Sequence, residues 1–220
     1  MTPGSELLMP RVVTVSASYG AGGSVIAPGL AERLGLPFFD RLLQGPEAQQ
    51  PDQIIERLSE EERQQAPPGR VVTGLGHMSA ALGIPVPVAA DLNPSDEIRR
   101  TVEASVKRIA NGTGGVILGR GAVVVLAGAP NAFHVRLDGP VGRRTVQGMT
   151  IEGVSEDVAR DHQARADRAW SQFGQRLFNR DFTDYRLYHL VLDSTAVPMP
   201  ECISLVAGAA SAFWERAACR

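Results

Sequence analysis

Apolar residues along this chain gather into short runs separated by segments of helical spacing. The first run, Val12-Val-Thr-Val-Ser16, is β-branched and breaks into Tyr19-Gly-Ala-Gly-Gly-Ser24. From Ser24 the pattern turns helical, with Ile26, Leu30 and Leu34 on one stripe. This predicts a buried strand, a glycine turn and a helix opened by Ser24 or its neighbour. Pro28 would fall in its first turn and Gly35 at its C-terminal cap. Pro37-Phe-Phe-Asp40 reads as a second short strand. Asn93-Pro-Ser-Asp96 combines a cap, a first-position proline and an acid in the first turn, so it predicts a helix start. Ile98, Val102, Val106 and Ile109 continue that helix, and Asn111-Gly112 ends it.

Two further buried strands follow at Gly115-Val-Ile-Leu-Gly119 and Phe133-His-Val-Arg-Leu137, with room for a helix between them. Ser155 stands where it would cap a long polar helix running to about Phe178, with Glu156 and Asp157 at its positive end. Leu190-Val-Leu192 supplies a last strand ending at Asp193, and residues 200–216 a closing helix. Strands alternating with helices predict an α/β fold, a doubly wound, parallel five-stranded sheet with right-handed crossovers. Ligands bind at the carboxyl edge of such a sheet, where the glycine loop, Asp40, Gly119-Arg120, Asp138 and Asp193 fall. Residues 44–69 shift to Gln, Glu and Pro, with Ile54, Ile55 and Leu58 allowing one short helix. Residues 71–90 fit helix and strand equally, and the stretch 44–92 is the candidate inserted lobe. Residues 1–10 read as a flexible tail and 11–220 as a single domain.

At 220 residues the chain can bury a sizeable core, and 44% hydrophobic against 21% charged residues places it among globular proteins. A net charge of −2 gives no overall electrostatic case for nucleic acid or an anionic membrane. No apolar run reaches the roughly 20 residues of a membrane span. The two cysteines, Cys202 and Cys219, make no disulfide framework or metal-ligand spacing, which points to a reducing cytoplasm. Oligomeric state is left open, a homo-oligomer included.

A glycine-rich turn at a helix N-terminus aims several backbone N–H groups at one point, and the helix dipole favours an anion there. Against the pattern G-x-x-x-x-G-K-[ST], with Gly22 in the second glycine slot, the first glycine falls on Ala17, the lysine on Gly23 and the hydroxyl on Ser24. Ser24 is either a Mg²⁺ ligand or only a helix cap. Arg120, between Gly119 and Gly121, offers a planar fork suited to phosphate. Arginines are dense at 143, 144, 160, 165, 168, 176 and 180, but acids at 152, 156, 157, 161 and 167 make most of them a solvated, salt-bridged surface. His77, His134, His162 and His189 have no ligand spacing, and His134 lies within an apolar strand as a core residue. No G-x-S-x-G, H-E-x-x-H or C-x-x-C occurs.

In combination these segments resemble the cytidylate kinase-like family of P-loop nucleoside monophosphate kinases. Thr14-Val-Ser-Ala-Ser-Tyr-Gly-Ala-Gly-Gly-Ser24 resembles its opening loop, where Y-G-x-G-G replaces the usual lysine motif. Gly35-Leu-Pro-Phe-Phe-Asp40, Val116-Ile-Leu-Gly-Arg-Gly-Ala122, Phe133-His-Val-Arg-Leu137 with Gly153-Val-Ser-Glu156, and Leu190-Val-Leu-Asp-Ser-Thr195 resemble its later blocks. The resemblance implies a P-loop nucleoside-kinase fold with an acceptor lobe at 44–92 and a lid at 143–180. It implies transfer of the γ-phosphoryl of ATP, with Mg²⁺, to a nucleoside monophosphate, CMP or dCMP first.

By position, Tyr19, Gly20, Ala21, Gly22, Gly23 and Ser24 would hold the ATP phosphates, with Ser24 also on the metal. Asp40, Arg41, Arg120 and Asp167 would meet the acceptor, and Arg143, Arg144 and Arg176 would neutralise the transferred group. Gly23 and Gly121 stand where true cytidylate kinases carry Lys and Asp, and Trp170 where an arginine is expected. Two other functions fit the same fold: a nucleotide-binding regulator without turnover, and a kinase for another small acceptor.

Overall fold

A computed structural model describes residues 9–40 and 94–218 of the chain. Arg41, the proposed 44–92 lobe with its short helix, Asn93, His77 and Cys219 lie outside the described residues. The elements run β1 Val12–Ala17, α1 Gly23–Leu34, β2 Phe38–Phe39, α2 Pro94–Asn111, β3 Gly115–Leu118, α3 Ala122–Val125 and β4 Ala132–Asp138. They continue with α4 Val141–Glu152, α5 Glu156–Phe178, a 3₁₀ turn at Tyr185–Leu187, β5 Leu190–Asp193 and α6 Met199–Ala218. The five strands pair in the order β2-β3-β1-β4-β5, every neighbour parallel. Among the described residues, no helix is long and apolar enough to cross a membrane.

Side chains alternate across the two faces of the sheet. Val13 and Val15 of β1, with Phe133, Val135 and Leu137 of β4, point into one apolar core with Ile26 and Leu30 of α1 and Cys202, Val206 and Trp214 of α6. The opposite face begins apolar, with Val12, Ile117 and Ala132 against Val102 and Val106 of α2. It then turns polar toward the carboxyl edge. Thr14 pairs in register with His134 and Ser16 with Arg136, and all four are at most 7% exposed. A third cluster, Phe173 and Leu177 of α5 with Phe182 just after it, closes that face.

The local expectations differ from the structure in four places. First, α1 starts at Gly23, with Gly22 as its N-cap at φ 74, so Pro28 lies in the second turn, not the first. Proline has no N–H, so the Ser24 carbonyl loses its i+4 donor there. Second, the segment after β3 forms only one helical turn, Ala122–Val125, before the chain is drawn toward β4. Third, Ser155 does occupy the N-cap of α5, but its hydroxyl makes no capping bond. Fourth, anchoring begins at Pro10, whose carbonyl accepts a 2.7 Å bond from Asn131 Nδ2.

Candidate active site

β1 ends at Ala17, and five residues carry the chain into α1. Gly20 (φ 71) and Gly22 (φ 74) are left-handed, where a side chain is strained. The loop is also clamped from above by α4. A Cβ at Gly20 would overlap the Arg144 carbonyl, and one at Gly148 of α4 would come within 2.7 Å of the Tyr19 ring. These close approaches require the glycines and place α4 backbone directly on the loop.

Two buried arginines hold the start of this loop. Arg136 donates to Asp138 (2.7 and 3.1 Å), to Ser18 Oγ (3.0 Å) and to the Phe182 carbonyl (3.0 Å). Arg144 donates to the Tyr19 carbonyl (3.0 Å), the Gly139 carbonyl (3.0 Å) and both oxygens of Asp167 (3.1 and 2.9 Å), and lies 3.6 Å from Asp138. Burial alone would raise the Asp138 carboxyl, but the Arg136 bonds and charge outweigh it and hold its pKa below the ordinary value. The chain Arg136–Asp138–Arg144–Asp167 therefore works as a rigid brace.

A cleft of about 520 Å³ opens at the carboxyl edge of the sheet. Its floor is the glycine loop from Ala17 to Ser24, its sides are Asp40 and Leu118-Gly119-Arg120, and its roof comes from Gly148, Ile151 and Glu152 of α4 and one stripe of α5. Arg120 is 5% exposed and left-handed at φ 60, between two left-handed glycines. A non-glycine residue there costs roughly 1–2 kcal/mol, so the surrounding structure holds it in place. Tyr19 donates to Glu152 (2.8 Å), and His162 of α5 meets the same carboxylate at 2.9 Å through Nδ1. Burial, then the Glu152 bond and charge, push the Tyr19 hydroxyl up to about 12, so it remains a donor. Trp170 Nε1 donates to the Ala17 carbonyl (3.1 Å), fixing the indole against the loop.

The structure gathers Tyr19, Gly20, Gly22, Gly23, Ser24, Asp40 and Arg120 around this one cleft. Ala21 is fully buried in the apolar core, and its carbonyl accepts from Ser194. Arg143 pairs with Asp193 at 2.5 Å, and Arg144 and Asp167 engage each other. Arg176 lies in the last turn of α5, on its exposed side. None of these five lines the cleft.

Sequence reasoning missed Glu152, His162, Arg165 and Trp170 as cleft residues. A signal for part of this set exists, since positions 162, 165, 166, 169 and 170 are spaced as one helical face. Glu152 has no such signal, because it ends a different helix.

The loop fits a polyphosphate. The first N–H groups of α1 have no intrahelical acceptor. Among the described residues the Gln147 amide nitrogen is buried without a partner, and it would lie 3.3 Å from a Cβ at Gly22, so an unused donor abuts the cradle. A divalent ion has less: the described residues hold no group of three His, Cys, Asp or Glu suited to one. Among the described residues that line the cleft, side-chain oxygens come from Ser18, Tyr19, Ser24, Asp40 and Glu152, and such a sparse set suits Mg²⁺ completed by phosphate oxygens and water.

A model of the cytidylate kinase-like family matches residues 12–196. The fold is similar to a crystal structure of an uncharacterized protein from Eubacterium ventriosum, with TM-score 0.62, 19% identity, and coverage of 91% of this chain and 98% of that one. A gluconokinase from Sinorhizobium meliloti aligns at TM-score 0.49 and 16% identity, over 94% and 95% of the two chains. A shikimate kinase from Bacteroides thetaiotaomicron aligns at 0.44 and 13%, over 93% and 98%. No curated protein matches the chain.

Proposed function

The chain belongs to the cytidylate kinase-like family, and we propose that it transfers the γ-phosphoryl group of ATP to a nucleoside monophosphate, CMP or dCMP first. The observation that carries this reading is that two features suited to phosphate line one cleft. The glycine loop with its orphaned Gln147 amide lies on one side, and the buried, left-handed Arg120 with Asp40 on the other. The loop N–H groups and Tyr19–Ser24 hold the donor phosphates. Arg120 grips the acceptor phosphate, and Asp40 binds the acceptor or shares the metal with Ser24. Mg²⁺ supplies charge neutralisation between the phosphates when bound.

Transfer is direct and in line, so the protein's contribution is positioning and electrostatics. The 44–92 stretch supplies the acceptor lobe, and 143–180 acts as the lid. Within the lid, Arg144 and Asp167 serve the brace, while Arg143 and Arg176 reach the transferred group only if the lid moves. A cytoplasmic setting, with its nucleotide pools, goes with this reading. Incubating pure protein with ATP, Mg²⁺ and each monophosphate tests it. A diphosphate product from CMP or dCMP is expected, and no diphosphate from any monophosphate at high enzyme concentration would sink it.

A second reading, a nucleotide-binding protein without turnover, is favoured by the glycine at the lysine position and Trp170 at the arginine position. Each cation of that kind contributes about 3 kcal/mol to a transition state. Calorimetric ATP binding with no product from any acceptor would select it. A kinase for another small acceptor would instead consume ATP in a wider acceptor screen.

A further inference from the structure

The lysine slot of the loop is closed by its own neighbour. A Cβ built on Gly23 would lie 2.5 Å from the Ala17 methyl, nearer than two such carbons approach. In the motif the two positions read glycine and lysine; here they read alanine and glycine. The exchange is coupled, because one methyl at 17 excludes any side chain at 23. Ala17 is itself fixed, its carbonyl held by Trp170 Nε1. The loop is thus sterically committed to having no cation of its own.

Cations reach this cleft from elsewhere. Among the described residues that line it, the basic side chains are Arg120, His162 and Arg165. Arg120 is buried at the end of β3 on the acceptor side, and His162 is engaged by Glu152. Arg165 is exposed, one helical turn from both His162 and Ala169, on the α5 stripe that lines the cleft. Its partner is Asp161 on the same helix, a solvated i,i+4 pair that a polyphosphate would readily outcompete. We propose that Arg165 is the phosphate-binding cation of this site, delivered across the cleft from α5 in place of the loop lysine that Ala17 excludes. Its ligand is the polyphosphate of a nucleoside triphosphate, so the inference rests on the nucleotide-binding reading above.

The experiment is calorimetry on the full chain with ATP and Mg²⁺, and with adenosine as a probe lacking phosphate. Arg165→Gln is expected to weaken ATP binding about tenfold or more while leaving adenosine binding unchanged. Its melting temperature should stay within about 2 °C of the wild type. Gly23→Lys alone is expected to melt several degrees lower, through the Ala17 clash. The pair Ala17→Gly with Gly23→Lys should fold normally, and added to Arg165→Gln it should restore ATP affinity to within about threefold of the wild type. An ATP affinity within about twofold of wild type in Arg165→Gln overturns the assignment. Equal losses for ATP and adenosine overturn it too, as does a folded triple variant that stays weak. Wild-type protein that binds no ATP overturns the nucleotide reading and this inference together. Wild-type protein that binds ATP but forms no diphosphate ends the claim of turnover and leaves Arg165 to be judged by the binding series.

Discussion

The two faces of the sheet are buried to the same depth by opposite means. On the α1/α6 face, Val13, Val15, Phe133, Val135 and Leu137 interdigitate with apolar side chains. On the other face the same two strands bury Thr14, Ser16, His134 and Arg136. An apolar face holds by area and shape and tolerates variation in what fills it. A buried polar face holds only while every group is paired, so it fixes directions as well as distances. The Thr14 hydroxyl lies 2.7 Å from His134 Nδ1, and Nε2 lies 3.3 Å from the Leu126 carbonyl, a pattern the neutral ring satisfies by accepting at one nitrogen and donating at the other. One step nearer the carboxyl edge, Arg136 and Asp138 take over and reach the loop through Ser18 and Arg144. The apolar face stabilises the domain, and the polar face aims the loop.

That contrast breaks most sharply at Arg136. Arg136→Met strips Asp138 of its two guanidinium bonds and the Phe182 carbonyl of one of its two donors, Tyr188 Oη remaining, and is expected to cost about 4 kcal/mol in urea unfolding. It should also weaken ATP binding, because Ser18 loses its anchor. Leu137→Ala, one residue away on the other face, should cost about 3 kcal/mol through a cavity. Its ATP affinity should remain within about twofold of the wild type, and a larger loss would erase the distinction between the faces.

Acid sharpens the contrast next. Burial, reinforced by the neighbouring His189, lowers the His134 pKa from 6.5 to about 4. Between those values the unfolded chain binds the proton that the folded chain refuses. The stability from His134 is therefore complete above about pH 6.5 and is lost as pH falls toward 4. At pH 5 the loss should be roughly 2 kcal/mol, and His134→Gln should flatten that part of the urea-monitored pH profile. The smallest effect belongs to Tyr19→Phe, which removes an exposed hydrogen bond to Glu152. It should change unfolding stability by about 0.5 kcal/mol and separate the loop from the end of α4 without touching either face.

Much of the fold was legible in one dimension. Each strand start or end was visible as a β-branched or aromatic run bounded by glycine, proline or a carboxylate, as at Val12, Gly115 and Asp193. Pro28 was misplaced by a turn because the helix start depends on the left-handed Gly22, a backbone state that residue type only permits. The grouping of the glycine loop, Asp40 and Arg120 around one cleft was legible because strand polarity alone puts them at one edge. The bracing contacts of Arg144 were not legible, since Arg143 beside it is the same residue type in the same helix. Only the fold shows that one holds the loop through the Tyr19 carbonyl while the other pairs with Asp193.

The sequence by itself determined the α/β alternation, the glycine turn and the family, because periodicity and punctuation act over a few residues. Tertiary structure decided which cations serve the brace and which face the cleft, and it revealed that Ala17 closes the place Gly23 leaves open. Those outcomes depend on side chains brought together across long stretches of chain by strand register and helix docking. Arg144 meets the Tyr19 carbonyl across 125 positions, and Trp170 meets the Ala17 carbonyl across 153. No local spacing carries that information.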